Sequence, residues 1–442
     1  MHLVWEGVIP NLVSLWTEDF KGLDEGSGSY RLSPSVFDAV SEAAAASGDH
    51  IPSAFSCQIP NLSKDRSYFT AESWSFWALY IGPILLRNRF RREIYYSHFV
   101  KLVRILHLCL QFNITTDELE EIRLGLADWV RAYEKLYYQY NLSRLPVCTL
   151  TIHGLLHIAD SIAAVGPPWV YWAFPTERFC GSLLPAVRSR RHPFSNIDRH
   201  VYDLAVLSQL KLVYNLELDL SRRRQKSISG IEASFIASKY KSFDLLCPKS
   251  DLLVIGDIRR KVLATLATRF DCDWKNFREV VPRTSPQWGK VRKINGGDLM
   301  TAREAIRLHS GERDNSFIRY KLNVDLNARR PRATPLFAPQ IFYGHLLRVF
   351  QIEIPNLVDL NISAETIVFA LIQQCKVIGY DTILKIPYYQ QMGATEVVDL
   401  RAVQCAIGRV SDRNKWVIGD RRGVLGTVDY VGDEEDEGDD GM

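Results

Sequence analysis

The sequence lacks closely spaced cysteine pairs. Its eight cysteines are scattered, and no two of them form a Cys-x-x-Cys motif. This distribution excludes a dense disulfide framework and favours reduced, mostly buried thiols, which predicts an intracellular protein.

The sequence also lacks membrane and leader signals. No uncharged apolar run reaches the ~18 residues of a membrane span, and the longest candidate, 73–86, contains Pro83. The first residues have no basic region before their apolar positions, and Glu6 interrupts them, so a signal peptide is not indicated. The sequence therefore predicts no membrane partner.

Three common enzyme signatures are missing as well. There is no Walker phosphate loop, no Gly-x-Gly-x-x-Gly and no Gly-x-Ser-x-Gly. Nucleotide hydrolases, dehydrogenases and α/β-hydrolases therefore have no support from the sequence.

What is present is a large stock of apolar residues and a segregated charge pattern. The 442 residues are 47% hydrophobic and 11% aromatic, enough for roughly two or three domains with sizeable cores. The formal net charge of +3 conceals opposing blocks, because an acidic tail at 433–440 offsets several basic clusters. The basic clusters are Arg87 to Arg92, Arg188 to Arg191, Arg222 to Lys226 and Arg329 to Arg332.

The periodicity predicts a mainly α protein followed by a small β-barrel-like domain. Ser33-Pro34, Thr70 and the capping box Thr115-x-x-Glu118 are helix starts, the last opening a helix to about Tyr140. Beyond residue 336, short runs rich in Val, Ile, Phe and Tyr alternate with turn signals, as in strands. The predicted divisions are an all-α region at 1–147, a helical segment at 148–225, a basic linker with weak helices at 226–335, a β-rich domain at 336–431 and a disordered acidic tail at 432–442.

Reactive side chains concentrate between Cys148 and Val201. His153 and His157 would share one helix face and could hold a metal ion, although two histidines packed or hydrogen-bonded at a helix interface is the favoured interpretation. Glu177 begins a predicted helix, where it is equally consistent with a functional carboxylate and with a cap or ion-pair partner of Arg178 or Arg188.

A basic run follows in the same stretch. Arg188, Arg190 and Arg191, with His192 beside them, would suit phosphate contacts. Most runs of this kind are simply solvated, so the pattern alone does not establish nucleic-acid binding.

Four segments carry a resemblance to a known family. They are MHLVWEGVIPNLVSLWTEDFKGLDEGSGSY, AESWSFWALYIGPILLRNRF, LTIHGLLHIADSIAAVGPPWVYWAFPTERFCG and RSRRHPFSNIDRHV. In order and content they resemble the C-terminal half of En/Spm (CACTA)-like DNA transposases, most closely those abundant in mushroom-forming fungi. The resemblance covers roughly residues 1–220, and the β-rich end also looks like the module that trails these proteins.

The resemblance implies a nuclear protein that acts on transposon ends. In this family an RNase H-like core holds two divalent metals, Mg²⁺ or Mn²⁺, with two aspartates and a glutamate. An all-helical insertion separates the second aspartate from the glutamate, which agrees with the helical pattern of residues 17–140. The remnant of that core is expected within 148–225.

Carried over residue by residue, the resemblance assigns Glu177 as the catalytic glutamate. His2 matches the histidine that follows the second aspartate after two intervening residues, so that aspartate would precede Met1, and the first aspartate would lie further upstream. We therefore expect a truncated, catalytically inactive transposase fragment that needs no cofactor of its own. His2, His153, His157 and Arg178 would support Glu177 as packing and orienting groups. Retained DNA contacts would come from Arg188, Arg190, Arg191, Arg222, Arg223, Arg224 and Lys226.

Two other functions stay open. The chain could be a helical scaffold or interaction protein, whose β-rich end binds a full-length transposase or another protein. Alternatively, His153, His157 and Glu177 could form a metal-dependent hydrolytic site.

Overall fold

The computed structural model describes residues 2–55, 58–189, 191–216, 240–293, 298–307, 311–328, 330, 332–380 and 384–421. About 45% of the protein is helix and 25% strand, with the sheet on the C-terminal side, so the coarse prediction of helices followed by a β-rich part is confirmed. Several predicted DNA contacts and the acidic tail lie outside the described residues: Arg190, Arg222, Arg223, Arg224, Lys226 and 432–442.

The helices of the first half begin where local capping predicts them. At Thr115 the side chain accepts from the Glu118 backbone N–H at 3.3 Å, and the Glu118 carboxylate accepts from the Thr115 N–H at 2.8 Å. Thr70 caps its helix in the same way, accepting from Ser73 N–H at 3.3 Å. The helices are α1 (Ile9–Trp16), α2 (Pro34–Ala46), α3 (Ala71–Phe76), α4 (Gly82–Leu85), α5 (Glu93–Cys109), α6 (Thr116–Tyr133), α7 (Leu150–Gly154), α8 (Ile158–Val165), α9 (Phe174–Leu183), α10 (Pro193–Tyr214) and α11 (Gly256–Phe270).

Aromatic side chains fill the core of the helical part. Trp16 packs edge-on against Phe99, with ring centroids 5.5 Å apart, and its indole N–H donates to the Tyr137 hydroxyl at 3.1 Å. Arg144, only 2% exposed, donates to the Tyr137 carbonyl at 2.8 Å and to the Tyr30 hydroxyl at 2.6 Å. Burial of large rings supplies most of the packing energy, and the hydrogen bonds of Trp16 and Arg144 offset the desolvation of these two buried polar side chains.

The described strands form one curled, antiparallel, half-barrel sheet. Its principal order is β1-β2-β5-β6-β7-β10-β9, with β3 beside β2 and β4 between β5 and β8. The strands are β1 (Phe243–Leu253), β2 (Thr284–Lys293), β3 (Leu299–Thr301), β4 (Phe317–Asp325), β5 (Phe337–Ile354), β6 (Glu365–Tyr380), β7 (Pro387–Asp399), β8 (Val403–Ala406), β9 (Gly408–Asp412) and β10 (Lys415–Gly419).

Residues 226–335 were predicted to be a basic linker with weak helices. This prediction was wrong, because four of the strands lie in that range. Strands β1 to β4 precede residue 336, and the predicted helix near Ala302 is a short turn in the part that is described. The helix predicted over 250–270 exists, but it starts only at Gly256. The strands escaped detection because a bulge between Leu246 and Lys249, and Pro286 and Gly289 in β2, interrupt the alternation of apolar and polar residues.

The sheet does not stand apart from the helices. Val410 of β9, together with Leu384 and Ile386, is buried in the same apolar cluster as the aromatic core of the first half. An ion pair also joins the two parts, because Arg89, after α4, lies 3.2 Å from the carboxylate of Asp412 at the end of β9. None of the helices in the described residues is both long and apolar enough to cross a membrane.

Candidate functional site

The predicted catalytic carboxylate, Glu177, lies in the first turn of α9. Its backbone N–H donates to the Ala173 carbonyl at 2.9 Å, which fixes the turn. The side chain is 48% exposed and stands where unpaired N–H groups of the helix favour a negative charge. Among the described residues the Glu177 carboxylate lies beside His2 rather than being paired with Arg178 or Arg188, with 3.7 Å between His2 Nε2 and Glu177 Oε1.

His2 lies between two carboxylates. Its Nδ1 contacts the Glu6 carboxylate, one helical turn along the chain, while its Nε2 faces Glu177. Glu6 belongs to a π-helical turn, Val4–Val8, that leads into α1. Sequence reasoning treated Glu6 only as a break in an apolar run, although its spacing from His2 was a usable signal.

Two glycines allow the first residues to reach the Glu177 segment. A Cβ on Gly7 would come within 2.6 Å of the Thr151 methyl, and a Cβ on Gly154 within 2.6 Å of a Leu3 methyl. The π-helical turn can therefore lie directly on α7. This close approach brings the start of the chain to the stretch that contains Glu177.

The aromatic loop before α9 is held from the helical part. The Trp169 indole N–H donates to the Phe112 carbonyl at 3.1 Å, and the two rings pack edge-on with centroids 5.6 Å apart. In the helix before this loop, Asp160 of α8 pairs with Arg123 of α6. These contacts connect α9, through its preceding loop, to the folded core.

His153 and His157 contact each other. Their Nε2 atoms are 3.2 Å apart, and both side chains are exposed rather than packed inside a helix interface. One ring must donate and the other accept, so the pair is satisfied without a metal ion. In the described part of the chain, no group of three or more His, Cys, Asp or Glu side chains is arranged to hold a metal.

The basic residues near Glu177 are on the surface. Arg178 in α9 is exposed, and so are Arg188 and Arg191 in the connection to α10. Their guanidinium groups are accessible to an anion, but they are not directed at Glu177 by any ion pair among the described residues.

Apolar side chains are also uncovered around this segment. Neither α9 nor α10 has a buried residue, in contrast to the core helices α5 and α6. Phe194 is 79% exposed and Leu212 80% exposed on α10. An apolar surface of this extent usually marks a contact with another protein surface.

Comparisons with known proteins gave no match to a family model, a curated protein or a solved structure. Family membership therefore stays a prediction from the sequence resemblance.

Proposed function

We propose that the chain is a transposase-derived protein of the En/Spm (CACTA)-like type that contributes Glu177 to a DNA-processing site and does not cut DNA by itself. The observation that carries the proposal is the contact between His2 and Glu177, which are far apart in the sequence. The resemblance assigns both residues to the surroundings of one catalytic centre, and composition or spacing gave no reason to expect them together.

The described residues do not by themselves fit the two-metal centre that the resemblance implies. Such a centre needs several carboxylates around two cations, whereas Glu177 is accompanied by His2 and, through it, by Glu6. The role proposed for this chain is therefore limited to presenting an accessible carboxylate, with the His2 imidazole beside it.

The uncovered surface of α9 and α10 supports a larger assembly around Glu177. Phe194, Ile197, Val201 and Leu204 follow one another at helical spacing, as residues do on a face that packs against another element. We propose that the strand-bearing part of an RNase H-like fold covers this face, either in a longer form of the protein or in a full-length transposase bound to it.

A plasmid cleavage assay in Mg²⁺ or Mn²⁺ tests the catalytic part. The purified chain should neither nick nor join DNA that carries transposon ends. A full-length relative whose own catalytic glutamate has been changed to Gln should regain cleavage when this chain is added. The Glu177→Gln variant should not restore it, and exposed Glu304→Gln provides a control. Robust cleavage by the chain alone that disappears in Glu177→Gln would contradict the proposal.

DNA contact through Arg188 and Arg191 is tested separately. If both guanidinium groups touch phosphates, the variant Arg188→Gln/Arg191→Gln should flatten the dependence of log K on log salt by roughly two units. An unchanged slope in a folded variant would leave these arginines as ordinary surface residues.

The exposed apolar helix α10 also favours a second candidate function, a protein-interaction scaffold. In that case binding of a protein partner should be lost when Leu204 and Leu212 are replaced. The chain should then have no salt-sensitive affinity for DNA. A hydrolytic site built from His153, His157 and Glu177 has less support, because the histidines contact each other while Glu177 contacts His2. Tight zinc binding that Glu177→Gln abolishes would revive it.

A further inference from the structure

A histidine of the helical part lies on a cationic, aromatic surface of the sheet. His50 ends the short turn Ser47–His50 that follows α2. Its imidazole meets the indole of Trp416 in β10 edge to face, with ring centroids 4.9 Å apart. The guanidinium carbon of Arg409 in β9 lies 4.6 Å from the centroid of the same indole. A titratable ring of one part of the molecule is therefore close to a permanent positive charge of the other part.

The contacts continue from Arg409 into the sheet. The Arg409 guanidinium carbon also lies 3.3 Å from the centroid of the Phe317 ring in β4. Phe317 in turn is stacked on His345 of β5, with centroids 4.2 Å apart. We call this series the joint stack, and its members in order are His50, Trp416, Arg409, Phe317 and His345. It has an imidazole at each end and a cation, which stays charged at every relevant pH, between them.

The acidic partner of Arg409 is fully engaged. Arg409 Nη2 donates to one oxygen of the Asp314 carboxylate at 3.0 Å, and Arg409 Nη1 donates to the Tyr389 hydroxyl at 3.1 Å. The other Asp314 oxygen accepts from the Ser316 N–H at 3.0 Å. Because both oxygens already have partners, this carboxylate offsets the charge of Arg409 and has little capacity to hold a second cation.

The surroundings of His50 favour its neutral form. The charged groups that face it are Arg409 of β9, Asp314 before β4 and Asp49 of its own turn. Burial, and after it the charge of Arg409, lower the pKa of His50 below 6.5, although Asp314 and Asp49 act in the opposite direction. Among the described residues its buried Nδ1 has no hydrogen-bond partner. Release of the turn would hydrate the ring and restore its ordinary affinity for a proton.

The turn is held against the sheet by contacts that are local to it. The Asp314 N–H donates to the Asp49 carbonyl at 2.8 Å, next to the contact between His50 and Trp416. Asp49 is exposed and His50 is half-buried, whereas Ile51, directly after them, belongs to the buried apolar core. An exposed turn with polar contacts opens at a lower cost in free energy than a buried apolar cluster. The turn can therefore leave the sheet while the core remains packed.

We propose that acid releases the turn Ser47–His50 from the β9–β10 hairpin, and that protonation of His50 drives the release. At pH values above 6.5 the imidazole is neutral in the closed and the released state, so the closed state is favoured. Below pH 6.5 the released state binds a proton that the closed state does not, and the stability of the closed state falls as the pH falls toward the lowered pKa of His50. This device is independent of the function proposed for Glu177, because it contains none of the residues at that site.

Hydrogen–deuterium exchange of the full chain, followed by mass spectrometry, tests the release. The informative peptide contains Asp314, whose N–H bonds across the joint to Asp49. From about pH 7.5 to about pH 5 its exchange, corrected for the intrinsic pH dependence, should accelerate by up to about tenfold per pH unit below pH 6.5. In His50→Gln, and in His50→Asn as a second neutral replacement, the corrected rate should not change with pH.

His345→Gln is the matched control, because it changes the imidazole at the other end of the joint stack. Burial lowers the pKa of His345 to about 4, so this ring stays neutral over the range of the experiment. His345 also lies in β5 and does not cross from the sheet to the helical part. His345→Gln should therefore keep the acid acceleration that the wild type has.

A permanent charge at position 50 provides the converse test. His50→Lys should have rapid exchange in the Asp314 peptide already at about pH 7.5, with the circular dichroism of the wild type. Wild-type protection in this variant would overturn the proposal, and so would equal acid acceleration in the wild type and in His50→Gln. A simultaneous loss of protection in a peptide from the buried part of α5, around Val100, would also overturn it, since the whole molecule would then be unfolding.

Discussion

At the scale of single residues, His98 shows how burial converts an ordinary side chain into a pH-sensitive element. Its ring stacks on Trp129 with centroids 4.3 Å apart, and its Nε2–H donates to the Trp129 carbonyl at 3.1 Å. Burial lowers the pKa of His98 from 6.5 to about 4, because the charged imidazolium would lose its hydration.

The lowered pKa predicts acid destabilisation with a defined sign. Below pH 6.5 the unfolded chain binds a proton at His98 that the folded chain does not, so the free energy of unfolding falls until about pH 4. The full loss is about 3 kcal/mol for this residue. His98→Gln, although less stable at neutral pH, should have a correspondingly flatter pH dependence in urea titrations. A pH profile of His98→Gln that runs parallel to that of the wild type would refute the assignment.

At the same scale, only part of the candidate site could be predicted from the sequence. Glu177 could be singled out from its position before a helix, but its partner could not, because the contact with His2 depends on the approach of a distant segment at Gly7 and Gly154. Only the family resemblance placed His2 and Glu177 near one another. The exposure of His153 and His157 was not predictable either. Helical spacing shows that the two side chains share one face of a helix, but it does not show whether another element covers that face.

At the scale of secondary-structure elements, the start of α6 depends on a reciprocal cap. Thr115→Ala removes the acceptor for the Glu118 N–H and should lower the free energy of unfolding by about 1 kcal/mol. Thr149→Ala is the comparison, because Thr149 precedes α7 but its side chain caps no backbone N–H of that helix and bonds only to the Thr151 hydroxyl, at 2.8 Å. The comparison requires chemical denaturation of both variants, and equal losses would show that the cap contributes nothing specific.

Helix starts could be predicted well because their causes are local. Ser33, Thr70 and Thr115 precede their helices, as expected from residues only a few positions away. Strand β2 could not be predicted in this way, because Gly289 interrupts its alternation of apolar and polar residues. Its stability comes from pairing with β1, β3 and β5. These partners lie up to some sixty positions distant in sequence, so the sheet is determined by packing rather than by propensity.

At the scale of the whole molecule, the helical part and the sheet share a core rather than meeting as independent domains. Val410 of β9 is 2% exposed and belongs to the same apolar cluster as Trp16 and Phe99. Further polar contacts cross the boundary: Asp314 N–H donates to the Asp49 carbonyl at 2.8 Å, and Arg421 donates to the Ala54 carbonyl at 2.9 Å. Unfolding of either part should therefore expose the other.

This shared core predicts one cooperative unfolding transition. Far-ultraviolet circular dichroism, dominated by helices, and fluorescence of Trp288, buried in the sheet, should have the same midpoint. Since Trp288 must be observed alone, its signal is best taken as the difference from a Trp288→Phe variant. Val410→Ala should lower the stability reported by both probes by about 2 kcal/mol, because a buried valine loses most of its apolar contact. Exposed Val358→Ala should change neither probe, and a shift of the fluorescence midpoint alone would mean that the sheet folds independently of the helices.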